Sequence, residues 1–202
     1  MLIDGEAFSV TAALTDVMRW LADEGIAGTI VGGVAASILG RPRMTRDIDA
    51  LILAEDTGWD RLVGSAAAYG IAPRIDGVVD FAARTRVLLL RHQPSGVDVD
   101  VMLGALTFHG ELVARSTLID VGPLRVRIPS PEDLVIMKAV ARRPRDMADI
   151  ESILSVQRGI DLDRVRQKLR EFSSLLEMPE IHEEFEQLLR RTSGSHRTAR
   201  DS

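Results

Sequence analysis

The chain of 202 residues contains no cysteine, which excludes disulfide bonds and thiolate metal sites and is compatible with a reducing compartment. No apolar run reaches the roughly 18 residues that a membrane-spanning helix needs. The first residues also lack the basic segment followed by an apolar stretch that marks a signal peptide. We therefore expect a cytoplasmic protein with no membrane partner.

Several common catalytic signatures are missing as well. The chain has neither the Gly-x-Ser-x-Gly turn of many hydrolases nor the Gly-x-x-x-x-Gly-Lys-Ser/Thr loop of P-loop ATPases. Its four histidines are too scattered to form a zinc motif. The formal net charge of −5 argues against a general polyanion binder. Local arginine clusters, at 142–145 and in the C-terminal tail, leave contact with an RNA acceptor open.

What the sequence does contain is a glycine pair at the end of an apolar segment. Residues 26–31 are rich in β-branched side chains, which favours a buried strand, and Gly32-Gly33 permits a tight turn. The apolar residues 34–39 predict a short helix directly after the turn. Such a helix would direct free N–H groups and the positive end of its dipole at an anion such as phosphate. Alone, a Gly-Gly turn usually only connects a strand to a helix.

Two acidic pairs follow, each in strand-like alternation. Asp47 and Asp49 open an apolar segment, and Asp98 and Asp100 alternate with valines. Side chains two residues apart on a strand point to the same face, so each pair faces one way. Like charges side by side repel unless a cation lies between them, and Mg²⁺ takes one or two carboxylates together with phosphate oxygens. The pattern therefore predicts a metal site on one face of a sheet.

Together these motifs resemble the nucleotidyltransferase superfamily related to DNA polymerase β, whose signature joins a Gly-Gly or Gly-Ser turn, an Asp-x-Asp pair and a later strand aspartate. The segment 43–49, Arg-x-Thr-x-Asp-Ile-Asp, is similar to that of nucleotidyltransferase-like toxins of the AbiEii kind and of related tRNA-modifying toxins. The resemblance covers residues 26–155.

The same families carry a later helix with a lysine and a charged element after it. Here Lys138 lies in a segment that begins at Ser130-Pro131, a strong helix start, and residues 142–150 follow. This part departs from the family pattern because Met147 stands where a charged residue is common.

The resemblance implies transfer of a nucleotide from ATP or another NTP to an acceptor hydroxyl, with Mg²⁺ or alternatively Mn²⁺ as the ion. Asp47, Asp49 and Asp100 would be the catalytic, metal-binding carboxylates, and Asp100 would either ligate the ion that activates the acceptor or serve as its base. Asp98 is the less favoured third carboxylate, because Asp100 precedes the Val-Met-Leu-Gly step usual after that residue. The implied nucleotide ligands are Gly32, Gly33, Arg43, Arg46 and Lys138, with Asp98, Thr45, Arg145 and Asp149 in supporting roles.

For several of these residues a purely structural role is an alternative to the functional one. Asp47 could pair with a neighbouring arginine, and Asp49 could be a surface residue. Lys138 could be an ordinary solvated lysine on a helix. Asp146 and Asp149 could orient Lys138, or could simply lie on a helix surface.

The periodicity predicts an α/β (α+β) fold with a helical C-terminal part. The resemblance implies that its sheet is small, mixed and mainly antiparallel, with flanking helices. We expect a catalytic core over residues 1–129, a helical region over 130–191 and a disordered tail over 192–202. A helix over 9–24 would be capped by Ser9 and end at Gly25. Further expected helices span 56–69, 78–83, 144–157, 161–176 and 179–191, and expected hairpins join 85–91 to 97–103 and 117–121 to 124–128.

The leading hypothesis is an Mg²⁺-dependent nucleotidyltransferase of the AbiEii-like toxin group, which would act on an RNA end, tRNA for example, or on a protein. A cognate antitoxin would be its partner. The alternative is a catalytically silent nucleotide-binding or partner-binding module with the same fold.

Overall fold

The computed structural model describes the backbone of residues 3–55, 57–122 and 124–198, and it describes side chains from residue 10 to residue 192 apart from 56 and 123. The chain divides into two compact units: residues up to 38 with 42–130, and residues 39–41 with those from 131 onward. None of the described helices is long and apolar enough to cross a membrane.

The first unit contains helices and two sheets. In chain order the elements are α1 (Ile3–Asp23), β1 (Ala27–Ile30), α2 (Gly32–Leu39), β2 (Asp47–Leu53), α3 (Trp59–Ala66), β3 (Ile71–Pro73), α4 (Val78–Thr85), β4 (Val87–His92), β5 (Val97–Leu103), α5 (Thr107–Arg115), β6 (Thr117–Val121) and β7 (Leu124–Ile128). The order of the larger sheet is β1-β2-β5-β4-β3, while β6 and β7 form a hairpin. In the larger sheet β2 and β5 are parallel and the other neighbours antiparallel, so the predicted mixed, mainly antiparallel sheet is confirmed.

The alternation along β5 decides which face of the sheet is buried. Val97, Val99, Val101 and Leu103 are buried, whereas the residues between them are partly exposed. Helix α1 contacts β2 and β5 and contributes the fully buried Trp20. Each buried valine or leucine contributes about 1.5–3 kcal/mol. The apolar face of the sheet therefore holds the core, and its other face remains for polar side chains.

The first helix begins earlier than predicted. Because α1 spans Ile3–Asp23, Ser9 lies inside the helix and does not cap it. The helix-forming Glu6 and Ala7 precede Ser9 and extend the helix through it. The predicted end is confirmed, since Gly25 has a φ of +65°.

The second unit is helical, with α6 (Pro131–Ala141), α7 (Pro144–Val156), α8 (Leu162–Leu175) and α9 (Glu180–Thr198). The three helices predicted from residue 144 onward are thereby confirmed. The tail predicted as disordered from residue 192 is helical as far as Thr198, and residues 199–202 lie outside the described residues. The hydroxyl of Thr192 donates to the carbonyls of Leu188 and Leu189, so this polar residue is accommodated by its own helix.

Candidate active site

The two acidic pairs meet on neighbouring parallel strands. The register of β2 and β5 places Asp47 opposite Asp98 and Asp49 opposite Asp100. The intervening residues, such as Val99, are fully buried on the opposite face of the sheet. All four carboxylates therefore lie on one face. Sequence alternation predicted the common face within each pair, and the structure adds the register that brings the pairs together.

The glycine turn approaches this face. Gly32, the first residue of α2, has a φ of +60°, a conformation that favours glycine. A Cβ at Gly32 would lie 1.8 Å from Oδ2 of Asp49, so the position lacks room for a side chain as well. The backbone N–H of Val31 donates to the carbonyl of Asp49 at 2.8 Å. The N-terminus of α2 and the carboxylate of Asp49 therefore lie side by side.

The segment before β2 supports the first aspartate. The hydroxyl of Thr45 donates to Oδ1 of Asp47 at 2.8 Å, which orients that carboxylate. A Cβ at Gly33 would lie 2.5 Å from Oγ1 of Thr45 and 3.2 Å from Nη2 of Arg43, so this segment packs against the glycine turn. Arg43 and Arg46 are exposed. The structure thus brings the predicted residues 32, 33, 43, 45, 47 and 49 together.

Two arginines that sequence analysis missed contact the carboxylates of β5. Arg74, directly after β3, forms ion pairs with Asp98 and with Oδ1 of Asp100, the second at 2.8 Å. Arg91 of β4 lies opposite Asp98 and donates to its Oδ1 at 2.7 Å. The alternation of the predicted hairpin carries the signal for Arg91, because its turn fixes the register. Strand β3 has only three residues, so no periodic signal marks Arg74.

The two carboxyl groups of β5 have opposite pKa shifts. For Asp98, burial alone would raise the pKa, but hydrogen bonds from Arg91 and Arg74 lower it below the ordinary value. For Asp100, burial raises the pKa above the ordinary value; Arg74 opposes this effect, and the negative charges of Asp98 and Asp47 add to it. Asp100 is therefore the better proton acceptor of the two.

The carboxylates offer an open donor set for a cation. Within the described part of the chain, no group of three or more histidine, aspartate or glutamate side chains is arranged as a metal site. Mg²⁺, however, commonly keeps several waters and uses one or two carboxylates with substrate phosphate oxygens. Asp47 and Asp49 fit that ion, because Asp49 adjoins the helix N-terminus at which a phosphate would bind.

Lys138 belongs to the second unit and lies in a buried ion-pair cluster. It is 5% exposed, and its Nζ donates to Asp146 at 3.0 Å and to Asp149 at 2.7 Å. Asp146 also accepts the backbone N–H of Arg143 before α7. The interpretation of Lys138 as a solvated lysine is therefore wrong, and the alternative in which the two aspartates orient it agrees with these contacts. Arg145 is exposed.

The chain is similar to three solved structures. The antibiotic-resistance factor ANT(2'')-Ia, from a solution structure that reveals substrate-regulated conformation dynamics, is 15% identical with a TM-score of 0.58, and the match covers 89% of this chain and 99% of that chain. An antigenic nucleotidyltransferase-like protein from Paracoccidioides brasiliensis is 16% identical with a TM-score of 0.48, covering 89% and 91% of the two chains. JHP933 from Helicobacter pylori is 13% identical with a TM-score of 0.45, covering 84% and 73%. The first likeness shows the fold alone.

No curated protein matches the chain. A family model described as a nucleotidyltransferase of unknown function (DUF6036) matches residues 14–193, which is most of the sequence. Membership in such a family implies an NTP as substrate. The acidic strands, the glycine turn and the fold agree with this match, and the chain belongs to this nucleotidyltransferase family.

Proposed function

We propose that this nucleotidyltransferase holds Mg²⁺ at Asp47 and Asp49 and transfers a nucleotide from an NTP to a hydroxyl of an RNA acceptor. The observation that carries the proposal is the close approach of Gly32 to Asp49. This contact supports the proposal, because a phosphate bound at the helix terminus would lie beside a carboxylate able to hold its Mg²⁺.

The glycine turn would bind the triphosphate. The N–H groups of Gly32 and Gly33 open α2, and the guanidinium of Arg43 lies beside Gly33, so phosphate oxygens there would meet both N–H donors and a positive charge. Thr45 holds Asp47 in place through its hydroxyl. When bound, Mg²⁺ or Mn²⁺ would neutralise negative charge on the triphosphate that the carboxylates alone would repel.

Asp100 would be the base. The proton of the acceptor hydroxyl passes to its carboxylate, the acceptor oxygen forms a bond to the α-phosphorus, and the bond from the α-phosphorus to the oxygen bridging to the β-phosphate breaks, so pyrophosphate leaves. Burial raises the pKa of Asp100, which makes its carboxylate a stronger base. Of the two roles predicted for Asp100, we favour this one because Arg74 already contacts its Oδ1.

The acceptor proposal rests on the resemblance in sequence and on the arginines near the carboxylates. Arg43 and Arg46 are exposed in the segment that precedes β2, where they would contact phosphates of an RNA end, such as that of a tRNA. The cluster at 142–145 offers weaker support, because Arg142 is held by both carboxylate oxygens of Glu184.

The test is incubation of the protein with Mg²⁺, NTPs labelled at the α-phosphate and total RNA. We expect the wild type to transfer label to RNA and to release unlabelled pyrophosphate. The control Asp60→Asn, which changes an exposed aspartate on α3, should do the same. The double variant Asp47→Asn, Asp49→Asn should produce neither. Equal labelling by the double variant would refute the proposed site.

A parallel incubation with a cellular protein extract in place of RNA, together with a calorimetric titration, separates the alternatives. Label in a protein fraction instead of RNA would show that the enzyme assignment is right and the acceptor class wrong. Binding of NTP with Mg²⁺ in a calorimetric titration, without transfer to any acceptor or release of pyrophosphate, would identify the catalytically silent module.

A toxin role with a cognate antitoxin is proposed from the resemblance to AbiEii-like proteins. Expression of the wild type alone should arrest growth, and expression of the Asp47, Asp49 double variant should not. Normal growth with abundant folded wild type would reject this role and leave the proposed reaction in place.

A further inference from the structure

Arg74 joins the two carboxylates of β5. Its Nη1 pairs with Oδ2 of Asp98, and its Nη2 donates to Oδ1 of Asp100 at 2.8 Å. The backbone N–H of Arg74 donates to the carbonyl of Leu89, the residue of β4 that lies opposite Asp100. The sheet itself therefore fixes the start of this side chain, and the guanidinium fork matches the spacing of the two carboxylates.

Both carboxylate oxygens of Asp98 contact arginine side chains. Arg91 donates to its Oδ1 at 2.7 Å, and Arg74 contacts its Oδ2. The side chain of Asp98 is 32% exposed and that of Arg74 is 23% exposed, so solvent screens these ion pairs less than pairs on an open surface. Among the described residues, the side chain of Asp100 accepts a hydrogen bond through its Oδ1, from Arg74.

The guanidinium supplies one positive charge at the carboxylates where a second metal ion would otherwise lie. An arginine side chain stays protonated at any pH at which the protein is folded, so its charge at Asp98 and Asp100 is permanent. Enzymes with two metal ions use the second one to stabilise the attacking oxygen. Here a second divalent cation at Asp100 would have to displace Arg74 or lie beside it, and two cations at such a distance repel each other.

We propose that Arg74 takes the place of a second divalent cation, so that the chain binds a single divalent ion with each nucleotide, at Asp47 and Asp49. This inference rests on the proposed function. Arg74 is then a positioning residue: it holds Oδ1 of Asp100 and leaves Oδ2 to accept the proton of the acceptor.

The experiment is a titration of the full chain with Mn²⁺ in the presence of a non-hydrolysable NTP analogue, in which free Mn²⁺ is measured by electron paramagnetic resonance. We expect one bound ion per chain for the wild type and two for Arg74→Met. Arg74→Lys keeps a positive charge and should stay at one. Arg91→Met is the matched control, because Arg91 contacts Asp98 and not Asp100, and it should also stay at one.

Two ions in the wild type would overturn the inference and leave the proposed function in place. One ion in a folded Arg74→Met variant, or two in Arg91→Met, would overturn it as well. If Arg74→Met does not fold, as judged by circular dichroism, Arg74→Gln decides in the same way, because glutamine can donate a hydrogen bond without a charge. If the wild type binds no ion, the proposed metal site at Asp47 and Asp49 is refuted, and both proposals fail.

Discussion

Gly32 and Asp49 are packed so closely that a Cβ on the glycine would lie 1.8 Å from the carboxylate oxygen Oδ2 and 2.7 Å from the Cβ of the aspartate. The glycine turn and the strand that carries the aspartate therefore constrain each other. A side chain at Gly32 would have to move Asp49, while the turn also requires a positive φ.

We expect Gly32→Ala to lose both stability and nucleotide binding. The left-handed conformation alone costs a non-glycine residue about 1–3 kcal/mol, and the displaced Asp49 should weaken Mn²⁺-NTP binding by at least about tenfold. Gly25→Ala is the control, since Gly25 has a φ of +65° and nothing within 4 Å of its Cβ position. Thermal unfolding and calorimetry measure the two effects. Equal nucleotide affinity of the two variants would show that the contact with Asp49 has no role in binding.

Thr45→Val should weaken metal binding without unfolding the protein. The substitution keeps the shape of the side chain and removes the hydrogen bond that orients Asp47. Loss of such a partner of a metal ligand typically costs about 10–100-fold in metal affinity. Thr45→Ser retains the hydroxyl and should bind Mn²⁺ like the wild type in a calorimetric titration. If serine and valine behave alike, the hydroxyl does not orient Asp47.

Lys138→Met should destabilise the helical unit. Removal of the ammonium would leave Asp146 and Asp149 buried without their cation, and the loss of one partner of a buried pair costs about 3–5 kcal/mol. Urea unfolding measures this loss. The triple variant with Asp146→Asn and Asp149→Asn should recover part of it, because no unpaired charge remains. Normal stability with weak NTP binding would instead support the nucleotide contact predicted from the sequence.

The contact between α8 and α9 should weaken in acid. A hydrogen bond from Arg166 lowers the pKa of Glu186, so its stabilisation is present above the ordinary glutamate pKa and is lost as the pH falls through the lower folded value. The partly exposed pair is worth about 0.5–1 kcal/mol, or about 1–4 °C in Tm. Glu186→Gln should lower Tm by that amount at pH 7 and not at pH 3. Glu183→Gln, an exposed position on the same helix, should change Tm at neither pH.

The features of this molecule that the sequence predicts are those that depend on residues close together in the chain. A period of two placed Asp47 with Asp49 and Asp98 with Asp100 on common faces, because strand geometry alone determines which side chains share a face. The glycine pair likewise predicts the turn at Gly32, since no other residue type adopts its positive φ so readily. The structure confirms both hairpins, whose strands are neighbours in the chain.

The remaining features depend on contacts between distant parts of the chain. The register that places Asp49 opposite Asp100 depends on such long-range contacts, and so does the ion pair of Arg74 with Asp100 of β5. The burial of Lys138 has a signal in the sequence: Leu134, Val135 and Ile136 are consecutive apolar residues of α6, which indicates a helix buried on more than one face.

The parallel pairing of β2 with β5 has a consequence for the order of events during folding. Parallel neighbours cannot form a hairpin, and the chain between these strands includes α3, β3, α4 and β4. Contacts over such a separation form slowly, and a shift of one residue would turn the carboxylates of β5 into the apolar core. Before β5 is synthesised, the chain has only Asp47 and Asp49 of the four carboxylates on this face, so the proposed site can assemble only after β5 has paired with β2.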